Sequence, residues 1–97
     1  MFSSPAPGAR LEAHHIQAWL IARLAEFLHV DPSDVDPSQP LAEHGLGSLE
    51  ALELSGALED WLGLRLPATL AWDYPTVELL SAHLAEQYRQ AHAQAAV

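Results

Sequence analysis

The stretch HGLGSLEALEL, residues 44–54, decides how this chain is organised. Two glycines flank Leu46, and Ser48 follows them directly. Serine is a favoured helix N-cap because its hydroxyl accepts a hydrogen bond from a backbone N–H two or three residues on, and its replacement by alanine costs about 1 kcal/mol there. Glu50 would lie in the first turn, where the helix dipole favours an acid. The stretch therefore predicts a helix that begins at Ser48, with the serine as its cap.

This helix is expected to run to about Leu62 and to stop at Gly63. At about 100° per residue, one mostly apolar face is predicted to be buried; it comprises Ala51, Leu54, Ser55, Leu58 and Leu62. The side away from this face carries two leucines among acids, namely Leu49, Leu52, Glu53, Gly56, Glu59 and Asp60. A lone exposed leucine needs no explanation, but two of them ringed by carboxylates indicate a docking surface.

The sequence before this helix predicts one further helix and a long connection. From Glu12, apolar residues recur at three- and four-residue steps: Ile16, Trp19, Leu20, Leu24, Phe27 and Leu28. The Pro-containing stretches DPSD (31–34) and DPSQP (36–40) are expected to stop this helix. The connection over 31–47 still holds apolar residues that should pin it to the core: Val35, Leu41 and Leu46.

The sequence after Gly63 predicts a short helical turn and a last helix. Pro67 and Pro75 leave room for a single turn around residues 68–73, and Thr76 is expected to cap the helix that follows. That helix has an apolar face of Val77, Leu80, Leu84 and Tyr88. The predicted fold class is therefore all-α, a small four-helix bundle of three main helices plus one short helix. We expect residues 1–11 to form an arm or linker, 12–88 the domain, and 89–97 a fraying tail.

Composition excludes several classes of function. The chain of 97 residues has no cysteine, which excludes disulfides, iron–sulfur clusters and thiolate zinc sites. Its net charge of −9 comes from 13 acids against 4 arginines, with no lysine, and argues against nucleic acid and anionic membranes as partners. Nine acids and no Lys or Arg lie between Arg23 and Arg65, so the expected partner surface is basic. Neither a signal peptide nor a membrane-spanning run is recognised, and we expect a cytoplasmic monomer.

Catalysis by Ser48 finds no support in the sequence. Residues 46–50 do not match the G-x-S-x-G pattern of a nucleophile elbow. Gly45 and Gly47 begin a G-x-G pattern, but Glu50 stands where a phosphate-binding loop needs its third glycine. The six histidines show no metal-ligand spacing. We therefore expect no catalytic residue and no metal site, and a small helical enzyme is the least favoured hypothesis.

The combination of an exposed serine at a helix start with a small acidic bundle resembles the acyl carrier protein family. The family's Gly-x-Asp-Ser-Leu signature corresponds here to residues 45–49, GLGSL. LPATLAWDYPTVELLSAHL, residues 66–84, resembles carrier domains of modular polyketide synthases, with their Leu-x-x-Thr-Leu and Asp-Tyr-Pro-Thr segments. The resemblance covers about residues 12–86.

The resemblance implies that Ser48 is the attachment point of 4′-phosphopantetheine, transferred from coenzyme A by a phosphopantetheinyl transferase. The arm would carry acyl intermediates as thioesters in polyketide or related biosynthesis. The implied partners are this transferase, a ketosynthase, an acyltransferase or acyl-ligase, and other synthase enzymes with basic patches. Gly47, where the family usually has aspartate, would belong to the partner-recognition residues. Two alternatives are a peptidyl carrier of a non-ribosomal peptide synthetase and an unmodified interaction module on the same fold.

The glycine at position 47 is the one departure from the family signature. In the family, the aspartate is thought to help the transferase engage the carrier. Its absence would mean slower modification, a dedicated transferase or a carrier that has lost its function. A simpler interpretation is that the loop backbone needs glycine there.

Overall fold

Helices account for most of the chain between residues 11 and 95, which is the part that the computed structural model describes. The helices are α1 (Ala13–Leu28), α2 (Ser48–Leu62), the short α3 (Leu70–Asp73) and α4 (Val77–Ala95). The connection between α1 and α2 contains two 3₁₀ turns, Pro32–Asp34 and Leu41–His44. No strand occurs in the described range. The predicted bundle of three main helices plus one short helix is confirmed.

Helix α1 buries the face that its apolar spacing predicts. Ile16, Leu20 and Leu24 are fully buried, whereas Phe27 and Leu28 are half-buried at the edge of the core. The helix ends before the proline stretches, because His29 adopts the left-handed conformation (φ 57°, ψ 45°) and turns the chain out of the helix. The stop is therefore a left-handed C-cap of the kind usually made by glycine.

Helix α2 buries its predicted core face in the hydrophobic core that it shares with the other helices. All five residues predicted to be buried are so: Ala51, Leu54, Ser55, Leu58 and Leu62. Helices α1 and α2 meet where the rings of Trp19 and Trp61 stack nearly parallel, with their centroids 4.8 Å apart. The Arg23 guanidinium lies over the Trp19 ring at 5.6 Å, within cation–π range.

The connection between α1 and α2 is fastened to the rest of the fold. Val35, Leu41 and Leu46 are buried, as their apolar character predicts. The Leu41 N–H donates to the carbonyl oxygen of Pro75 at 2.7 Å, and the Glu78 N–H donates to that of Pro37 at 3.0 Å. These bonds join the connection to the start of α4, so the loop before Ser48 has a defined place.

Two aspartates stabilise the turns of this connection. Asp31 Oδ1 accepts hydrogen bonds from the N–H of Ser33 at 2.9 Å and from its hydroxyl at 2.7 Å. Asp36 accepts the same pair from Ser38 at the same distances. The backbone hydrogen bond, followed by the hydroxyl, lowers the pKa of each aspartate below its usual 3.8.

These turns predict part of the acid sensitivity of the domain. A carboxylate with a lowered pKa in the folded state contributes stability above pH 3.8, which is lost as the pH falls through the folded value. We expect Asp36→Asn to make the fall in melting temperature between about pH 5 and about pH 2, where aspartates titrate, shallower than in the wild type. Asp34→Asn is the matched control, since no hydrogen bond to the Asp34 carboxylate is found among residues 11–95. Identical acid profiles for Asp36→Asn and the wild type would contradict this account.

Helix α4 closes the bundle against α1. Its predicted cap is confirmed, because the Thr76 hydroxyl accepts a hydrogen bond from the Leu79 N–H at 3.1 Å. Its predicted apolar face is buried: Val77, Leu80, Leu84 and Tyr88. The helix continues to Ala95, into the segment 89–97 that the sequence predicts as a fraying tail, and alanine and glutamine are good helix formers.

The predicted limits of the domain stay predictions. Leu11 packs half-buried against the core, at the end of the predicted arm. The rest of that arm and the last two residues of the tail lie outside the described residues. Among residues 11–95, no helix has the length and apolarity that crossing a membrane requires.

Candidate functional site

The start of α2 differs from the prediction in its capping residue. Gly47, not Ser48, is the N-cap: its backbone is extended (φ −91°, ψ −179°), and its carbonyl accepts the first helical bond from the Ala51 N–H at 2.9 Å. Ser48 is therefore the first residue of the helix, and its prediction as the cap is wrong. The physical reason is that the Glu50 side chain folds back towards the cap, where its Oε1 accepts a hydrogen bond from the Gly47 N–H at 2.9 Å. This bond is one half of a capping box, made without any side chain at the cap position.

The Ser48 side chain is exposed, and its hydroxyl is available for reaction. No hydrogen bond to its hydroxyl is found within residues 11–95. His44, four residues earlier, has Nε2 3.0 Å from the Asp36 carbonyl oxygen. Its ring is thus tied to the connection, and no carboxylate in the described range orients it towards Ser48. In the same range no cluster of His, Asp and Glu has a metal-binding arrangement.

The two glycines before Ser48 differ in backbone conformation. Gly45 has φ +95°, a conformation that L side chains rarely adopt. Gly47 has an extended backbone that any residue can adopt, so the interpretation that the backbone requires glycine there is wrong. An added Cβ at position 47 would lie 2.6 Å from Glu50 Oε1, so the end of the flexible Glu50 side chain would have to move aside.

The side of α2 that faces away from the core carries most of the predicted docking residues. Leu49 and Leu52 are 63% and 54% exposed. Glu53 and Asp60 are also exposed, and no ion pair involves either of them in the described part of the chain. Gly56 is half-buried, and nothing lies within 4 Å of where its Cβ would stand, so the helix surface is open there. We call these five residues, Leu49, Leu52, Glu53, Gly56 and Asp60, the α2 face.

Glu59 differs from the other acids that were predicted for partner recognition. It is half-buried, and its Oε2 accepts a hydrogen bond from the Leu66 N–H at 2.7 Å. This bond holds the connection between α2 and α3 against the end of α2. One carboxylate oxygen of Glu59 therefore has a structural partner.

Sequence reasoning missed an exposed aromatic residue on the short helix that follows α2. Trp72 is 52% exposed on α3, a helix that contacts α2. Its neighbours Leu70 and Ala71 are buried, so the short helix presents the indole away from the core. The signal in the sequence is the position of Trp72 next to Leu70 and Ala71, whose burial leaves the following side chain on the outer side of the turn.

Comparisons with known proteins place this geometry in context. The model of the family described as phosphopantetheine attachment site matches residues 18–84. A phenolphthiocerol/phthiocerol polyketide synthase of Mycobacterium tuberculosis is 37% identical over 70 residues, which are 72% of this chain and 4% of that protein. The chain thus spans only a small part of the curated relatives it matches first.

Two solved structures are similar over most of their length. A free-standing peptidyl carrier protein from Acinetobacter baumannii superposes with a TM-score of 0.76 at 37% identity, covering 78% of this chain and 95% of that one. An acyl carrier protein from Anabaena, described as having a variant phosphopantetheinylation-site sequence, superposes with a TM-score of 0.75 at 38% identity. The second match covers 90% of this chain and 99% of the other.

Proposed function

This chain belongs to the phosphopantetheine attachment site family, and on that basis we propose that Ser48 carries the arm from which polyketide intermediates are passed between enzymes. Proteins of this family carry a covalently bound 4′-phosphopantetheine. The assignment to polyketide synthesis rests on the polyketide synthases among the relatives. The choice of Ser48 rests on the geometry of the serines.

Ser48 stands out among the five serines of the segment that matches the family, residues 18–84. Ser55 and Ser81 are buried. Ser33 and Ser38 are exposed, but their hydroxyls donate to Asp31 and Asp36 at 2.7 Å. Ser48 is the only serine of this segment that is exposed and whose hydroxyl makes no hydrogen bond to the described residues. This is the single observation that carries the proposal, because a transferase must reach the hydroxyl from solvent.

The position of Ser48 also suits a phosphodiester. As the first residue of α2 it lies where N–H groups lack helical partners and where the helix dipole favours an anion. In the transfer, the phosphoanhydride bond of coenzyme A breaks and Ser48 Oγ bonds to the phosphorus. The hydroxyl proton and adenosine 3′,5′-bisphosphate leave. When bound, the arm supplies the thiol that holds an acyl group as a thioester, and the chain itself has no cysteine.

Intact mass spectrometry tests this proposal. The protein is incubated with coenzyme A, magnesium and a broad-specificity phosphopantetheinyl transferase. We expect a mass gain of one phosphopantetheine. An unchanged mass would contradict the proposal and would favour an interaction module that uses the fold only to bind.

The α2 face, together with Trp72, fits enzymes that present a basic surface with an apolar centre. Leu49, Leu52 and Trp72 would supply apolar contact, while Glu53 and Asp60 would steer the approach. Contacts of this kind are weak and sensitive to salt, which suits a carrier that must leave each partner in turn. We propose the phosphopantetheinyl transferase, a ketosynthase and an acyltransferase or acyl-ligase as these partners.

Charge reversal tests the α2 face. We expect Glu53→Lys with Asp60→Lys to lower kcat/KM for transfer to or from a partner enzyme by about tenfold at low salt. The difference should shrink at about 1 M salt, where the Debye length falls to about 3 Å. Asp34→Lys with Glu78→Lys is the matched control, because it makes the same charge change at two exposed acids away from α2 for which no ion pair is found within residues 11–95. Equal losses in the two double variants would mean that net charge, and not the α2 face, sets the rate.

The similar peptidyl carrier protein supports one alternative cargo. The modified protein can be offered to a polyketide synthase acyltransferase and to an adenylation domain of a peptide synthetase. Loading by the acyltransferase would support an acyl carrier. Loading by the adenylation domain alone would make the chain a peptidyl carrier.

A further inference from the structure

We propose that Glu50 is a positioning residue for Ser48, whose carboxylate accepts a hydrogen bond from the Gly47 N–H and so holds the turn that presents the serine hydroxyl. This inference rests on the proposed modification of Ser48. It assigns a role to a residue that the docking predictions leave out.

The geometry at the start of α2 makes Glu50 and a side chain at position 47 compete for the same space. Glu50 Oε1 accepts the Gly47 N–H at 2.9 Å. The same oxygen lies 2.6 Å from the Cβ that any other residue at position 47 would carry, closer than real Cβ contacts. A side chain at position 47 would therefore make the Glu50 carboxylate move from this place, although the end of a flexible side chain can do so.

Few other contacts restrain the turn that contains Ser48. Leu46 and Ala51 are buried and fix the two ends of the segment. Between them, Ser48 and Leu49 are exposed, and Gly47 has no side chain with which to cap the helix. Glycine is also the most permissive residue for backbone rotation. The bond from Gly47 to Glu50 is thus the side-chain restraint nearest to the serine.

Kinetics of the modification separate positioning from simple stabilisation. We expect Glu50→Ala to lower kcat for transfer to Ser48 by about tenfold with little change in KM, since misplacing a reacting atom by about 1 Å can cost up to about a hundredfold. Glu50→Gln should retain most of kcat, because its amide oxygen still accepts the Gly47 N–H. Glu78→Ala is the matched control, a first-turn acid of α4, and should leave kcat unchanged.

A second substitution tests the competition for space. In the wild type, Gly47→Asp should displace the Glu50 carboxylate and change kcat less than it does in Glu50→Ala, because one restraint on the turn replaces another and aspartate is itself a good N-cap. In Glu50→Ala the same substitution should recover most of the lost kcat, since the new carboxylate has free space and caps the helix. The effect of Gly47→Asp on kcat is thus expected to depend strongly on residue 50, because both carboxylates restrain the same turn.

Amide hydrogen exchange at Gly47 gives a readout that does not depend on the transferase. Exchange should be faster in Glu50→Ala than in the wild type, and circular dichroism should show that the variant is folded. Unchanged exchange or unchanged kcat in Glu50→Ala would overturn the inference, as would an equal effect of Gly47→Asp in both backgrounds. A wild-type protein that is never modified would instead overturn the proposed function, and this inference with it.

Discussion

Replacement of Ser48 by alanine is expected to abolish attachment of phosphopantetheine and to leave the free energy of unfolding within about 0.5 kcal/mol of the wild type. The loss should be complete because alanine has no oxygen to bond to phosphorus. The stability should hold because Ser48 is the first helical residue and not the cap, and no hydrogen bond to its hydroxyl is found within residues 11–95. Alanine also has the best helix propensity. The cost of about 1 kcal/mol expected for a capping serine therefore does not apply.

The measurements are intact mass after treatment with the transferase and urea unfolding of both proteins. Ser33→Ala is the control, since Ser33 is exposed but its hydroxyl donates to Asp31, and this variant should still gain one phosphopantetheine. A mass gain in Ser48→Ala would place the attachment on another residue. A loss of about 1 kcal/mol or more, the size of a typical cap contribution, would restore a structural role to the hydroxyl.

Replacement of Leu58 by alanine is expected to destabilise the domain by about 2–5 kcal/mol, the range for removing a buried leucine side chain. Leu58 has no exposed surface and lies in the core cluster that joins the helices. The loss combines the transfer free energy of the removed methyl groups with the cost of the cavity left behind. Since small domains have about 5–15 kcal/mol in total, this substitution should lower the urea midpoint strongly.

Leu52→Ala is the matched control on the same helix. Leu52 is 54% exposed, so its replacement should change the unfolding free energy by about 0.5 kcal/mol or less. It should instead weaken productive contact with partner enzymes and raise KM for transfer, because Leu52 belongs to the α2 face. A large loss of stability in Leu52→Ala, or a small one in Leu58→Ala, would mean that the two faces of α2 have been assigned wrongly.

The sequence alone determined the bundle and most of its core. Apolar spacing predicted the buried residues of α1, α2 and α4, because a helix repeats about every 3.6 residues and must bury its apolar side. Val35 and Leu46 were identified within a loop because isolated apolar residues among turn formers need cover. Ser48 was recognised from its place in a family signature, and its exposure followed from the start of the helix.

Only the tertiary structure decided which groups of α2 are already engaged. Capping depends on where a flexible carboxylate points, and residue spacing does not specify this. The sequence therefore predicts Ser48 as the cap, whereas Gly47 and Glu50 form it together. Glu59 shares the charge of its neighbours, yet its bond to Leu66 exists only because the chain folds back after Gly63. Periodicity assigns a residue to a face of its helix. Which polar atoms on that face remain free depends on the segments that fold against it.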